Sequence, residues 1–275
     1  MRYPIIALLS DFGLKDPYVA EMKGIILSVC RKATLVDVSH NVSKFDVREG
    51  AFMLARSAPY LPKGTVNLAV VDPGVGSDRR AIVVEGKRNL YVGPDNGLLM
   101  LASSMEGIRS VYEIRNKALM LSKVSRTFHG RDVFAPVTAH LAKGVPPKEV
   151  GPKILDYFVP NFATPEVRGA SLVGEVMYVD GFGNAVTNIP ERFVRMTRMH
   201  DGDNLKVSLG ERSWKVGLCG SYEEGTPGNP LAIIGSAGFL EFAEKQGSAT
   251  KLMKIKVGDP VRVDLVTRMT GSGPS

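Results

Sequence analysis

The first 160 residues alternate between apolar strand-like segments and helical segments, and this alternation most limits the folds open to the chain. The strand-like segments are residues 5–10, 34–38, 65–71, 81–85 and 90–92. One helix is predicted to begin at Asp16-Pro17, with the carboxylate as its N-cap, and another at Asp46, which has the spacing of a capping box with Glu49. Strands that alternate with helices predict an α/β domain with a mostly parallel sheet.

The pattern changes near residue 158. Residues 161–168 follow one proline, contain another and have no hydrophobic period, which is typical of a linker. Short strand-like segments then follow between Gly, Asn and Pro at 174–179, 184–188, 206–208, 231–234 and 261–266. They predict a small C-terminal β-barrel domain over 169–267. The chain is therefore predicted to have an N-terminal three-layer α/β catalytic domain over 1–160, the linker, the barrel and a disordered tail at 268–275.

Composition excludes several classes of protein. No apolar run reaches the ~20 residues that a membrane helix needs, and the N-terminus lacks the features of a secretory signal, so a cytoplasmic protein is expected. The net charge is +7, but the basic residues are scattered in ones and twos, which argues against a nucleic-acid binder. Cys30 and Cys219 indicate neither a disulfide framework nor a metal knuckle.

Three carboxylates stand at or just beyond the ends of predicted strands. They are Asp11 in Ser-Asp-Phe-Gly, Asp72 in Val-Asp-Pro-Gly-Val-Gly, and Asp95, which Asn96 follows, in Gly-Pro-Asp-Asn-Gly. An open α/β sheet binds ligands beyond the carboxyl ends of its strands, and the adjacent glycines let a ligand approach the backbone. A single Asp would more often form a turn, but three at like positions predict a site, with Asp72 as its working carboxylate.

Two further groups could complete this site. Arg79 is close enough in sequence to fold back over the Asp72 loop, although Arg80 is an alternative because only one of the two can face the site from a strand. His129 lies in a glycine-flanked turn before a helix predicted from Val133, and Phe128 precedes it. A set of metal ligands made of Asp11, Asp72, His129 and His140 is the lesser alternative, because compact metal-site spacing is missing.

The C-terminal half carries two glycine-flanked loops that could bind a small molecule. In the first, Asp180 could hold a cation and Phe182 could stack on a ring, with Asn184 beside them. The alternative is a plain β-hairpin, for which Asp-Gly is a strong signal. The second loop contains Ser236.

Taken together, these motifs resemble the S-adenosyl-L-methionine hydrolase (adenosine-forming) family, also called the SAM hydroxide adenosyltransferase family, which is related to fluorinase and chlorinase. The resemblance spans roughly residues 4–245 and rests on the order and spacing of six motifs. They are Ser-Asp-Phe-Gly at 10–13, Val-Asp-Pro-Gly-Val-Gly at 71–76, Gly-Pro-Asp-Asn-Gly at 93–97, Thr-Phe-His-Gly-Arg-Asp at 127–132, Asp-Gly-Phe-Gly-Asn at 180–184 and Gly-Ser-Ala-Gly at 235–238.

The resemblance implies hydrolysis of S-adenosyl-L-methionine to adenosine and L-methionine, without cofactor or metal. It also implies a homotrimer with sites at subunit interfaces. The implied catalytic residues are Asp72, Arg79 and His129. The implied substrate contacts are Asp11 at the ribose hydroxyls, Phe45, Asp95, Asn96 and Phe128 around the substrate, Asp180, Phe182 and Asn184 at its methionine and adenine parts, and Ser236 at the methionine end.

The halogenases of this group carry other residues at the positions of Asp72 and His129, and the halogen-binding serine of the fluorinase aligns with Gly130. Residues 84–91 also leave no room for the long extra loop of the fluorinase. These departures favour the branch that uses water. A halogenase, a binder of S-adenosyl-L-methionine or adenosine without turnover, and a metal-dependent phosphohydrolase are the alternatives. Whether Asp72 removes a proton from water or only orients it stays open.

Overall fold

The computed structural model describes residues 3–266, and the tail predicted at 268–275 lies outside this range. The chain divides into two compact units, the first ending at Ala163 and the second beginning at Thr164. Within the described range, none of the helices has both the length and the apolar character needed to cross a bilayer.

The first unit is an α/β domain. Its strands are β1 Ile5–Ser10, β2 Thr34–Ser39, β3 Val66–Val70, β4 Ala81–Gly86, β5 Leu90–Pro94, β6 Ile108–Glu113 and β7 Lys153–Ile154. Its α-helices are α1 Tyr18–Val29, α2 Val47–Ser57, α3 Met100–Glu106 and α4 Ala135–Ala142. Short 3-10 helices lie at Ala58–Tyr60, Lys117–Leu119, Pro147–Val150 and Asn161–Ala163, and a π-helix at Gly130–Phe134 leads into α4.

The strands of this unit form one sheet in the order β2-β1-β3-β5-β4-β6-β7. Strands β2, β1, β3 and β5 are parallel, whereas β4 and β7 run antiparallel to their neighbours. The prediction of a mostly parallel sheet is confirmed. The antiparallel turn at β4 and β5 follows from the three residues that join them, too few for the crossover that parallel neighbours need.

Helices cover both faces of this sheet, which gives the three layers predicted. On one face α1 packs against α4, and Met22 and Val137 from these helices join Leu8 and Leu68 of the sheet in one buried core. On the other face α2 packs against α3, and α2 lies so close to the sheet that a Cβ at Gly50 would be 3.0 Å from Val71. Strands buried on both faces explain the nearly continuous apolar runs in the sequence.

The two predicted helix starts have different outcomes. Asp46 caps α2 as predicted, because its carboxylate accepts a hydrogen bond from the backbone N–H of Glu49 at 2.9 Å. The prediction of Asp16 as the cap of α1 is wrong. Pro17 itself occupies the N-cap position, one residue later than predicted, and none of the described side chains caps this helix.

The second unit is a closed β-barrel. Its strands are β8 Glu166–Arg168, β9 Ser171–Val179, β10 Ala185–Pro190, β11 Asn204–Leu209, β12 Arg212–Cys219, β13 Pro230–Ile234, β14 Phe239–Glu244 and β15 Pro260–Leu265, and its helices are α5 Glu191–Met196 and α6 Ala249–Met253. The order β9-β10-β14-β13-β12-β11-β15 returns to β9, so seven strands close the barrel and β8 pairs only with β9. The barrel prediction is confirmed. The segment expected to be a linker, 161–168, contains a 3-10 helix and β8.

Candidate active site

The loop after β3 folds back on itself and brings its two ends together. The Ser77 hydroxyl donates to the carbonyl oxygen of Gly74 at 2.6 Å, and the backbone N–H of Arg79 donates to Ser77 Oγ at 3.2 Å. Gly76 has a φ of +79°, and a Cβ there would lie 2.4 Å from the carbonyl oxygen of Arg126, so this turn requires glycine. The folded loop returns Arg79 to Asp72.

Arg79 joins Asp72 and His129 into one group. Its Nε donates to Asp72 Oδ1 at 3.1 Å and its Nη2 to Asp72 Oδ2 at 2.6 Å, and Nη2 also lies 3.1 Å from His129 Nδ1. The guanidinium stands 5.3 Å from the ring centroid of Phe134. The side chains of Arg79 and Asp72 are only 8% and 5% exposed, so the bidentate pair is largely shielded from water.

Arginine can only donate hydrogen bonds, and this fixes the state of His129. Nδ1 of the imidazole must accept from Arg79, so a neutral ring carries its proton on Nε2. Burial lowers the pKa of His129 below its ordinary value and Arg79 lowers it further, against the opposing charges of Asp72 and Asp132. Burial raises the pKa of Asp72, although Arg79 and His129 act in the opposite direction. The group therefore combines a more basic carboxylate than usual with a neutral imidazole.

The neighbouring arginine, Arg80, contacts different residues. Arg80 pairs with Asp95 and with Asp156, each at 2.8 Å, and neither acid belongs to the group around Arg79. The two arginines therefore point to different partners, as expected for successive residues at a strand start. The structure brings Arg79, and not Arg80, to Asp72 and His129.

The third strand-end carboxylate and the asparagine beside it make contacts inside the domain. Besides its pair with Arg80, Asp95 accepts a hydrogen bond from the backbone N–H of Phe158 at 2.9 Å. Asn96 donates to the carbonyl oxygen of Val71 at 2.8 Å, directly before Asp72. Asn96 thus fixes the backbone directly before Asp72, whereas Asp95 holds Arg80 and the backbone of Phe158, and the contact of both side chains with substrate stays a prediction.

Asp11 and Phe45 lie against each other. The carboxylate of Asp11 accepts a hydrogen bond from the backbone N–H of Phe45 at 2.9 Å through Oδ2, and Lys44 Nζ donates to the Asp11 carbonyl oxygen. Phe45 has a φ of +66° and its side chain is 68% exposed. A phenylalanine with positive φ is strained, and such residues concentrate at functional sites. No residue in the range 3–266 donates a hydrogen bond to Asp11 Oδ1, which leaves it available to a ligand.

An aromatic cluster joins the segments of Asp11 and His129. The ring centroid of Phe128 lies 5.6 Å from that of Phe12 and 5.1 Å from that of Tyr18. The cluster borders a cleft of about 320 Å³ that Glu21 and Arg131 also line. Sequence reasoning missed Phe12 and Tyr18, although Phe12 stands next to Asp11 and could have been found by that position.

A π-helix and a buried aspartate support the segment of His129. The π-helix begins at Gly130, directly after His129, and π-helical turns occur often at functional sites. Asp132 is fully buried and accepts hydrogen bonds from the backbone N–H of Ser125 at 2.8 Å and from Arg131 Nε at 2.7 Å. Asp132 therefore closes the turn that presents His129.

In the second unit, the Asp180 loop is a tight turn. The carboxylate of Asp180 accepts hydrogen bonds from the backbone N–H groups of Phe182 and Asn184 and from Asn184 Nδ2, each at 2.9 Å. This is the hairpin that the Asp-Gly signal predicts, and it leaves the Phe182 side chain 82% exposed. Ser236 is exposed in another tight loop, where the backbone N–H of Gly238 donates to the carbonyl oxygen of Gly235 at 2.9 Å.

The alternative set of metal ligands is not assembled. Within residues 3–266 there is no group of three or more His, Cys, Asp or Glu side chains placed to hold a metal ion. Asp72 and His129 share Arg79 between them, and His140 lies on α4, where burial and Lys143 lower its pKa.

Comparison with known proteins gives the family. Residues 6–151 match the SAM hydroxide adenosyltransferase N-terminal domain, and residues 174–262 match the C-terminal domain of the same family. The chain belongs to the SAM hydroxide adenosyltransferase family. It is 40% identical over 265 residues to the (R)-S-adenosyl-L-methionine hydrolase of Thermus thermophilus, an alignment that covers 94% of this chain and 98% of that protein.

Other known proteins are similar to the chain to different degrees. A crystal structure of an uncharacterized conserved protein from Thermotoga maritima has a TM-score of 0.82 at 38% identity and covers 94% of this chain and 99% of its own. The fluorinase of Actinopolyspora mzabensis is 30% identical over 289 residues, covering 94% of this chain and 97% of that protein. This alignment is longer than the present chain of 275 residues, so the fluorinase carries inserted residues that this family member lacks.

Proposed function

We propose that this protein hydrolyses S-adenosyl-L-methionine to adenosine and L-methionine, and that the (R) form named for its hydrolase relatives is its substrate. The observation that carries the proposal is the single arginine, Arg79, that holds the carboxylate of Asp72 and the imidazole of His129 together. The greater similarity to hydrolases than to fluorinases supports water as the nucleophile.

The reaction requires alignment and a good nucleophile. Water or hydroxide attacks the ribose C5′, the new C–O bond forms as the C5′–S bond breaks, and the electron pair of that bond goes to sulfur. Because a sulfonium leaves as a neutral thioether, no general acid is needed. Positioning the nucleophile in line can lower a barrier by ~7–11 kcal/mol in well-oriented cases. A general base adds ~10²–10⁴-fold in rate.

The three catalytic side chains divide this work. Asp72 orients the attacking water and takes its proton, a role that its raised pKa favours. Arg79 keeps Asp72 in place through the bidentate pair. His129, with Nδ1 engaged by Arg79, presents the Nε2 proton to the oxygen of the nucleophile. Each contact is charge-assisted or fixed in direction, which limits the reorganisation needed during the reaction.

Three of the proposed substrate contacts follow from exposed rings or an unused acceptor. Asp11 offers Oδ1 to the ribose hydroxyls, and Phe45 and Phe182 offer exposed rings to the adenine and methionine parts. The resemblance to the family adds Asp95, Asn96, Phe128, Asp180, Asn184 and Ser236 as proposed contacts. The Asp180 carboxylate already accepts three hydrogen bonds in its turn, so it would receive the substrate ammonium on its remaining lone pairs.

The proposal includes no cofactor, because S-adenosyl-L-methionine is the substrate. It also includes self-association as a homotrimer, in which a neighbouring copy completes each site. Light scattering of the purified protein tests this assembly, and a mass of a single chain, 29.7 kDa, would contradict it.

Incubation with S-adenosyl-L-methionine tests the function. Chromatography should find adenosine and methionine in equal amounts from the wild type. The Asp72→Asn variant, which keeps the shape of the side chain, should form them at least ~100-fold more slowly, because its amide cannot accept the proton of water. Unchanged substrate after long incubation, together with tight binding, would mean a binder without turnover and would contradict the proposal.

The same incubation separates hydrolysis from halogenation. With added fluoride or chloride the wild type should still release adenosine. A 5′-halogenated adenosine product that grows with halide concentration would contradict the use of water.

A further inference from the structure

A chain of hydrogen bonds runs from α1 through the end of β2 to the residue before Asp11. Lys23 Nζ donates to Asp37 Oδ2 at 2.6 Å, Asp37 Oδ1 lies 3.1 Å from His40 Nε2, and His40 Nδ1 lies 2.7 Å from Ser10 Oγ. Ser10 is fully buried and His40 is only 4% exposed, whereas the Asp37 side chain is 44% exposed. The chain thus leads from the surface to the buried neighbour of Asp11.

An irregularity in the sheet creates this contact. Strands β1 and β2 pair in parallel with Leu8 opposite Asp37, but Leu9 is opposite Ser39, so β2 contains one extra residue. A bulge of this kind redirects the side chains that follow it. Here the slip carries His40 to the level of Ser10, and the backbone N–H of Gly13 then donates to the His40 carbonyl oxygen at 2.6 Å.

The donors and acceptors agree on one arrangement. The Asp37 carboxylate can only accept, so His40 Nε2 carries the ring proton and donates to it. In the neutral ring Nδ1 then accepts the hydroxyl proton of Ser10, and Ser10 Oγ accepts from the backbone N–H of Phe12 at 3.4 Å. A neutral imidazole therefore satisfies every member, and burial lowers the pKa of His40 in the same direction.

We infer that His40, fixed between Asp37 and Ser10, is a positioning residue that sets the carboxylate of Asp11 for the ribose hydroxyls. The inference rests on the proposed function for the role of Asp11. Ser10 is bonded to Asp11 in the chain and to Phe12 through its hydroxyl, so the loop that carries both residues is tied to His40. His40 acts on Asp11 through Ser10 and the backbone, and not through a contact with the Asp11 carboxylate.

The test uses His40→Asn in the full-length protein, with His140→Asn as the matched control, because His140 lies on α4 outside the proposed site. Ser10→Ala and Asp37→Ala each remove a partner of His40 from the same chain, and they are used for the test if His40→Asn does not fold. Melting temperatures identify folded variants.

Two measurements distinguish a positioning role of His40 from a general loss of structure. The first compares kcat/KM for S-adenosyl-L-methionine and for its 2′-deoxy analogue. His40→Asn should lower kcat/KM for the natural substrate by up to about 100-fold, because a misplacement of about 1 Å caused far from the reacting atoms can cost that much in rate. The 2′-deoxy analogue lacks a hydroxyl that Asp11 would bind, so its kcat/KM should fall much less. The preference for the natural substrate should therefore shrink, while His140→Asn keeps it.

The second measurement is the binding of adenosine and of 2′-deoxyadenosine by calorimetry, which does not depend on turnover. Loss of the preference for adenosine in His40→Asn supports the inference even if the wild type fails to hydrolyse the substrate, a failure that would contradict only the proposed function. A wild type that turns over, beside folded variants of His40, Ser10 and Asp37 that keep the full 2′-hydroxyl preference, would overturn the inference.

Discussion

Replacement of Arg79 by lysine tests the group that carries the proposed function. Lysine keeps the positive charge near Asp72 but lacks the planar fork of the guanidinium. The variant should lose the contact with His129 Nδ1 and one of the two contacts with Asp72. Because the remaining charge still faces the Asp72 carboxylate, the variant should fold.

The size of the effect follows from these contacts. Hydrogen bonds to charged groups contribute ~1.5–3 kcal/mol each, so two of them amount to about 3 kcal/mol or more. At ~1.4 kcal/mol per tenfold change in rate, kcat/KM should fall about 100-fold or more. Most of this loss in kcat/KM should appear as a lower kcat, because Arg79 acts on the reacting group.

Arg80→Lys is the matched control. Arg80 is the next residue in the chain and also pairs with aspartates, but it is 26% exposed, and its partners Asp156 and Asp95 are 79% and 4% exposed. An exposed pair such as Arg80–Asp156 contributes ~0.2–1 kcal/mol, and lysine keeps a positive charge beside Asp95, so kcat/KM should fall much less than in Arg79→Lys. Adenosine release measured by chromatography, with melting curves for both variants, gives the comparison. Equal losses in the two variants, or a folded Arg79→Lys protein with full activity, would refute the reasoning.

Three further results are expected. Arg79→Gln removes the charge that lowers the pKa of both Asp72 and His129, so the acid limb of the kcat/KM profile should move to higher pH; an unchanged limb would argue that neither group titrates in it. The unfolding free energy should fall as the pH drops below 6.5, because the folded state holds His40 and His129 neutral while the unfolded chain binds their protons. The slope should reach up to about 1.4 kcal/mol per pH unit for each histidine. Asp72, whose pKa is raised in the folded state, contributes in the opposite direction above pH 3.8. Denaturant titrations at several pH values measure this slope, and stability that stays constant below pH 6.5 would contradict it. Gly76→Ala should lower both the melting temperature and kcat, because a Cβ would lie 2.4 Å from a carbonyl oxygen, and a wild-type melting temperature would show that the turn tolerates a side chain.

Much of the fold could be predicted from local patterns. Buried parallel strands have continuous apolar runs, so β1, β2 and β3 were found within a residue or two of their ends. The N-cap signal at Asp46 fixed the start of α2, although the Glu49 carboxylate accepts from the backbone N–H of Ser43 and does not complete the capping box. The strands β6, β7, β8, β12 and β14 were missed, because they have mixed exposure or polar residues and depend on pairing across the sheet.

The site was only partly within reach of the sequence. Asp72 and Arg79 are seven residues apart, so a tight loop could be expected to join them, but nothing local shows that His129 meets the same guanidinium. His129 was a candidate because of its glycine-flanked turn before a helix, and the resemblance to the family gave it a catalytic role. The contact of His40 with Ser10 depends on a bulge in β2, and a one-residue slip in register has no local sequence signal.

The strand-end carboxylates have the same local sequence pattern but make different contacts in the structure. Asp72 faces the group with His129, whereas Asp95 is engaged by Arg80 and by the backbone of Phe158. Both are aspartates beside glycines after a strand, so the local sequence does not distinguish them. The arginine that each one meets makes the difference, and that is decided by the alternation of side chains at the start of β4.

The origin of the oxygen in the product tests the central claim most directly. The wild-type protein should be incubated with S-adenosyl-L-methionine in water enriched in oxygen-18, and the adenosine analysed by mass spectrometry. We expect one labelled oxygen in the 5′-hydroxyl, in proportion to the enrichment, because water attacks C5′. Adenosine without label would contradict attack by water at that carbon.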